Sequence, residues 1–93
     1  MKISVVTVTY NASSTLEETM QSVFHQSYPY IEYIIIDGAS VDGTVNIISK
    51  YADKLSYWLS EQDKGIYYAM NKALEVATGD FLILWELMIY LYE

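Results

Sequence analysis

The stretch from Ile3 to Thr9, ISVVTVT, is dense in β-branched residues with little polar alternation, the pattern of a strand covered on both faces. After TYN the period changes. Leu16, Met20, Val23 and Phe24 recur at helical spacing, and Ser14 followed three residues on by Glu17 reads as a capping box. That helix is expected to stop before Tyr28-Pro29. IEYIII, Ile31 to Ile36, reads as a second buried strand, and DGASVDGT follows it with glycines that permit tight turns, so a loop begins at Asp37.

From Asp42 or Thr44 a second helix carries Val45, Ile48, Tyr51 and Ala52 on one side, and Leu55, Tyr57 and Leu59 then alternate as a shorter third strand. SEQDKG makes the next loop. Ile66, Ala69, Met70, Ala73, Leu74 and Ala77 describe the clearest helix in the chain, with Gly79 as its expected C-terminal cap. Phe81 to Leu84 then reads as a fourth buried strand. Strands alternating with helical crossovers predict a parallel α/β sheet. In such a sheet ligands bind outside the carboxyl ends of the strands, and the polar segments TYN, DGASVDG and SEQDKG all fall there. One binding rim in one small domain is the expected organisation.

Composition narrows the partners. The 93 residues carry a net charge of -7, from twelve carboxylates against five lysines with no arginine. No basic stripe is left to follow a nucleic-acid backbone. The absence of cysteine excludes disulfides, a thiol nucleophile and thiolate metal sites, and suits a reducing compartment. The apolar run after Met1-Lys2 contains Ser4 and Thr7 and has no small-residue cleavage site behind it. The run from Phe81 to Tyr92 is broken by Glu86 and falls short of the roughly 20 apolar residues of a bilayer span. The expected location is the cytoplasm, free or peripheral to a membrane.

Asp37 leads the candidates for chemistry, because a carboxylate just past a buried strand can accept hydrogen bonds from a ribose hydroxyl or a base N–H. The alternative is a turn aspartate bonding its own backbone. Asp42 reads as a turn or helix-cap residue. Neither common glycine-rich nucleotide fingerprint occurs in the chain. Thr9, Tyr10 and Asn11 offer a tyrosine face and backbone donors near a helix N-terminus, which favours anions. Asp63, Lys64 and Gly65 sit just before the third helix, where a diphosphate could meet a helix dipole and a lysine, or where solvated loop charge would stand. His25, the one histidine, reads as a surface or C-terminal-turn residue. Tyr67, Tyr68 and the two tryptophans could stack on a sugar or simply pack.

Taken in order, TVTYN, SVFHQSYPYIEYIIIDGASVDGT, DKGIYYAMNKA and ATGDFLIL resemble the start of the inverting family-2 glycosyltransferases, from Ile3 to about Leu84. The resemblance implies a GT-A fold, a three-layer Rossmann-like parallel sheet, present here in incomplete form. It implies residues 1–84 as a half-domain binding a nucleotide-diphospho-sugar, usually a UDP- or GDP-sugar, with 85–93 as a divergent apolar tail. By that likeness Thr9, Tyr10 and Asn11 line the nucleotide pocket, Asp37 contacts base or ribose, Asp63 and Gly65 flank the pocket, and Asn71 braces its loop.

The family follows its fourth strand with an acidic pair that holds manganese or magnesium against the diphosphate. Leu87, Met88 and Ile89 occupy those positions here, and hard cations require oxygen ligands that these side chains lack. The acceptor-binding half, which supplies the general base, is not in the sequence. The expectation is a glycosyltransferase fragment inactive as a lone chain, as a truncated or frameshifted gene would give. The alternatives are a non-catalytic nucleotide-binding module, or a structural piece that oligomerises through residues 81–92 by strand pairing or a packed tail helix.

Overall fold

Residues Ile3–Tyr10 form strand β1, and every position from Ser4 to Thr9 is buried. Such burial on both faces requires layers on both sides, and the rest of the chain supplies them. The computed structural model describes residues 1–62 and 66–88. After β1 come α1 (Leu16–Phe24), β2 (Ile31–Asp37), α2 (Thr44–Lys50), a 3-10 turn (Ala52–Lys54), β3 (Tyr57–Ser60), α3 (Ile66–Val76) and β4 (Phe81–Met88).

All strand pairs are parallel, and the described strands lie in the order β3-β2-β1-β4. The alternation of β1 and β2 sends Val5, Tyr33 and Ile35 to one face, where Leu16, Met20 and Val23 of α1 and Ile48 of α2 cover them. Val6, Val8, Ile34 and Ile36 point the other way, onto Ala69 and Ala73 of α3. The small alanines let α3 approach the sheet closely. The expected parallel α/β sheet in three layers is the observed architecture.

Several local expectations are corrected. The capping box does not form: Thr15 takes the N-cap position of α1 without a side-chain cap bond. The Glu17 carboxylate instead accepts from Tyr51 Oη and from Lys50 Nζ at 3.0 Å, tying α1 to the end of α2. α2 stops at Lys50, which leaves Tyr51 and Ala52 in the turn after it. Leu55 lies outside β3, in which Trp58 and Leu59 face opposite cores. Leu74 on α3 is 60% exposed. β4 is an edge strand among the described residues and reaches Met88, with Phe81, Leu82 and Ile83 exposed, because no described strand pairs on its far side.

Gly79 is not a left-handed helix cap, since its φ lies outside that region and α3 ends at Val76. Its small size matters for contact. A Cβ there would stand 2.5 Å from Ser4 Oγ and 2.7 Å from Ser4 N, so only glycine lets the α3–β4 connection lie against β1. At that amino end of the sheet Glu32 of β2 is 8% exposed. Its carboxylate accepts from Ser4 Oγ at 2.8 Å, Thr78 N at 2.8 Å and Thr78 Oγ1 at 2.7 Å, and Lys2 Nζ stands at 3.2 Å. Gly79 N donates to Ser4 Oγ at 2.9 Å. Lys2 N donates to Asp80 Oδ2, and Asp80 N returns a bond to Lys2 O at 2.7 Å. β4 is thus docked through a polar knot centred on Glu32. Burial pushes the Glu32 carboxyl up, but the bonds from Thr78, Ser4 and Lys2 outweigh it and bring the pKa down to about 2.

Gly79→Ala is expected to cost about 1–3 kcal/mol by overpacking against Ser4 and to lower Tm by roughly 10 °C, measured by thermal denaturation followed by circular dichroism. An unchanged Tm would show that the backbone of β1 yields freely at that point. Because the folded-state pKa of Glu32 is depressed, its contribution is complete above the unfolded value near 4 and is lost as pH falls toward 2. Stability should drop over that window by on the order of 3 kcal/mol more in the wild type than in Glu32→Gln. Parallel acid-denaturation curves for the two proteins would contradict the assignment.

Candidate functional site

Strand order reverses beside β1. The chain moves from β1 outward through β2 to β3, and α3 then carries it back across the other face to β4, on the opposite side of β1. In an open parallel sheet the crevice outside the carboxyl ends at such a switch point is where ligands bind. Tyr10 pairs with Met88 at that end, so the crevice lies between the segment after β1 and the end of β4. Asp37 lies on the other side, its backbone in register with Thr9 and Ser60. The polar segments after β1 and β2 therefore meet at the carboxyl end of the sheet, with Tyr10-Asn11 beside the reversal and Asp37 one strand away.

Asp37 is wholly buried, with 0% of its surface exposed. A carboxylate so placed requires partners for its lone pairs. Oδ1 accepts from Thr9 Oγ1 and Ser40 Oγ, each at 2.6 Å, and Oδ2 accepts from Ser40 N at 2.9 Å and Ser60 Oγ at 2.8 Å. Its backbone carbonyl receives Glu61 N at 3.0 Å. The residue therefore gathers the ends of β1, β2 and β3. The turn role is realised in the bonds to Ser40, and the bonds to Thr9 and Ser60 extend it across the sheet.

The segments after β1 and β2 are latched reciprocally. Asn11 N donates to Ser40 Oγ at 2.8 Å, and Asn11 Oδ1 accepts from Val41 N at 3.0 Å. Asn11 has φ 49°, a left-handed conformation that asparagine tolerates better than most residues. Further along, Ala12 N donates to Thr44 Oγ1 at 3.0 Å and Ser13 N to Asp42 Oδ2 at 3.1 Å, while Thr44 N and Oγ1 both donate to Asp42 Oδ1. Asp42 is the turn residue expected, with an added grip on the approach to α1. Burial raises its carboxyl pKa, but the Thr44 and Ser13 bonds prevail and lower it to about 2. The suggestion that donors just before α1 await an anion is corrected for Ala12 and Ser13, whose N–H groups are occupied within the chain.

Of the residues the sequence pointed to, Thr9 is buried under the rim with its hydroxyl on Asp37, and Tyr10 and Asn11 are half-buried at its edge. Asp63, Lys64 and Gly65 lie outside the described residues, between Gln62 and α3. Asn71 is exposed on α3. Tyr68 Oη donates to Glu61 Oε1 at 2.8 Å, Tyr67 is 79% exposed, and Trp58 packs on the α1 face. His25 is the C-cap of α1, with Nδ1 2.7 Å from Gln21 O. Sequence reasoning passed over Ser40, Ser60 and Thr44. A signal existed for Ser40: an Asp followed three residues later by Ser places an N–H and a hydroxyl within reach of the carboxylate. Ser60 becomes visible only once β3 is known to pair with β2.

The described residues do not fit a divalent cation. The carboxyl end of β4 carries Leu87 and Met88, which offer no oxygen ligand. Among the described residues no three His, Cys, Asp or Glu side chains are grouped to hold a metal. Nor is any described helix long and apolar enough to cross a membrane.

Comparison with known proteins accords with this geometry. The putative teichuronic acid biosynthesis glycosyltransferase TuaG of Bacillus subtilis is 40% identical over 83 residues, covering 86% of this chain and 33% of the relative. The cholesterol galactosyltransferase of Borreliella burgdorferi is 32% identical over 87 residues, covering 91% of this chain and 24% of its own length. The chain thus spans about a third or less of these relatives. Among solved structures, the mannosyltransferase PcManGT from Pyrobaculum calidifontis in complex with GDP-Man and Mn2+ superposes with a TM-score of 0.83 at 29% identity, over 91% of this chain and 27% of that one. S. aureus TarS 1-349 in complex with UDP-GlcNAc gives 0.82 at 31% identity, over 92% and 26%. The architecture is part of a GT-A glycosyltransferase domain. Residues 4–86 match the family described as Glycosyl transferase family 2, and the chain belongs to that family.

Proposed function

We propose that this chain forms the donor-binding part of a family 2 glycosyltransferase and takes a nucleotide-diphospho-sugar, a UDP- or GDP-sugar. The observation that carries the reading is the strand-order reversal beside β1, with Tyr10 and Asn11 held at its mouth by the segment after β2. The solved relatives with GDP-Man and UDP-GlcNAc support the ligand class. In this proposal Tyr10 and Asn11 line the pocket, Thr9 and Asp37 support it from below, and Asp63 and Gly65 flank it. Transfer of the sugar to an acceptor belongs to a longer protein, since the chain matches only about a third of its relatives. We propose that the 93-residue chain alone does not turn over. By the family resemblance, Leu87, Met88 and Ile89 occupy the sequence positions of the carboxylates that would neutralise a departing diphosphate through a metal.

The partner proposed for the open edge of β4 is a second copy of the chain. Phe81, Leu82 and Ile83 are 56%, 41% and 51% exposed, and a cleft of about 300 Å³ lined by Ile3, Val5, Val23, Ile31 and Ile83 adjoins them. An unpaired apolar edge of this kind favours strand addition.

Two measurements check these readings. Titration calorimetry should detect UDP or GDP with a Kd on the order of 0.1–1 mM, and manganese should change that value less than about twofold, because oxygen ligands for it are lacking. Absence of heat at millimolar nucleotide would remove the binding role, and turnover of a nucleotide sugar by the purified chain would remove the inactivity. Light scattering at micromolar concentration should give a dimer mass or larger, and a clean monomer mass would dispose of the β4 partner.

A further inference from the structure

The α1 face of the sheet is covered unevenly. Residues of β1, β2 and β3 share a core with α1 and α2, but among the described residues none of β4 joins it, and Ile83 is left 51% exposed. Ile83 pairs with Val5 and Val5 with Tyr33, so the three side chains stand in one row across the amino half of the sheet. A cleft of about 300 Å³ runs along this row, lined by Val5 and Ile83 together with Ile31 and Val23 from the last turn of α1, and bounded by Tyr28. A second cleft of about 160 Å³ shares Val23, Ile31 and Tyr28 with the first and continues past Tyr33 to Lys54. Lys54 differs from its fellows. Lys2, Lys50 and Lys72 each meet a carboxylate, whereas Lys54 is in no ion pair among the described residues and stands with Nζ 5.2 Å from the centre of the Phe24 ring and 5.9 Å from that of Tyr51. Ring faces hold a cation in place without neutralising it.

We propose that the adjoining clefts bind a single-chain amphiphile with an anionic head, its alkyl tail between Val23 and Ile83 and its head beside Lys54. An apolar slot of this size lies at the lower limit of small-molecule pockets. It admits one alkyl chain end-on and offers no flat surface to a bilayer. The charge at one end selects the head. Because the chain as a whole carries -7, its overall field repels anions, so the attraction is local to Lys54 and fades with added salt. The site lies at the amino end of the sheet, away from the switch-point crevice, and does not depend on the nucleotide reading. Nor does it compete with strand addition to β4, which uses the backbone edge of that strand, whereas the cleft opens on its α1 face.

The test titrates the full chain, labelled at its methyl groups, with monomeric octanoate, octyl phosphate, octanol and octylammonium, followed by nuclear magnetic resonance. Octanoate and octyl phosphate should shift the methyl signals of Val23, Ile31 and Ile83 with a Kd on the order of 1 mM. Octanol should bind about threefold more weakly, the size of one exposed charge contact, and octylammonium more weakly still. Hexanoate should lose about tenfold against octanoate, since two methylenes leave the apolar cleft. Lys54→Gln should bring octanoate to the level of octanol and leave octanol unmoved. Ile83→Gln, at a position already half exposed, should weaken both. Equal affinity for octanoate and octanol, or indifference of octanoate to Lys54→Gln, would overturn the anionic head. Shifts confined to Leu74 and Leu82, on the α3 side, would overturn the site. Binding to phosphatidylglycerol vesicles with no response to monomeric octanoate would assign the patch to a membrane surface and overturn the slot, and displacement of octanoate by UDP would overturn its separation from the crevice. If the chain takes octanoate but neither UDP nor GDP, this site stands while the donor reading fails.

Discussion

A carboxylate removed from water at the end of a strand must be met by donors, and this requirement at Asp37 organises the carboxyl rim. An unsatisfied charge there would cost several kcal/mol, so folding brings Thr9, Ser40 and Ser60 together around it. Those residues come from the ends of β1 and β3 and from the segment after β2. Their convergence fixes three connections that would otherwise be free at the tips of independent strands. The Asn11 latch is built on the same base, through Ser40.

β2 repeats the device at its other end. Glu32 collects Ser4, Thr78 and Lys2, and so attaches β4 to the amino end of β1 through a connection that only glycine at 79 allows to lie close. One carboxylate gathers the carboxyl rim and the other the amino end of the sheet, and they act on opposite ends of β1. A parallel sheet has no hairpins to set its register. Anchoring each end of a central strand to its neighbours through charge-assisted bonds supplies the specification that short turns provide in antiparallel sheets.

The position of β4 connects the fold to the limits of its chemistry. By lying next to β1 it creates the switch-point crevice, with its backbone paired to β1 as far as Tyr10. A diphosphate can be oriented by backbone and hydroxyl groups, but its departure as a leaving group requires its charge to be neutralised. Phe81, Leu82 and Ile83 of the same strand are left exposed to solvent.

Periodicity and strand-end polarity, visible along the chain, were enough for the parallel α/β class and for Asp42 and His25 as turn and helix-end residues. These follow from local rules, because a buried strand must be apolar on both faces and its loops must be polar. Strand order is not local: nothing in the run Phe81 to Leu84 distinguishes a central strand from an edge, so Phe81, Leu82 and Ile83 were expected to be buried and are exposed. The same limit hid Glu32, whose partners lie 28 and 46 residues away, and Ser60, which meets Asp37 across 23 residues. Sequence alone determined which residues prefer strand, helix and turn. Only the packed sheet decided which polar groups share a buried site, because burial turns a preference for a partner into a requirement and pairing across strands selects the partner.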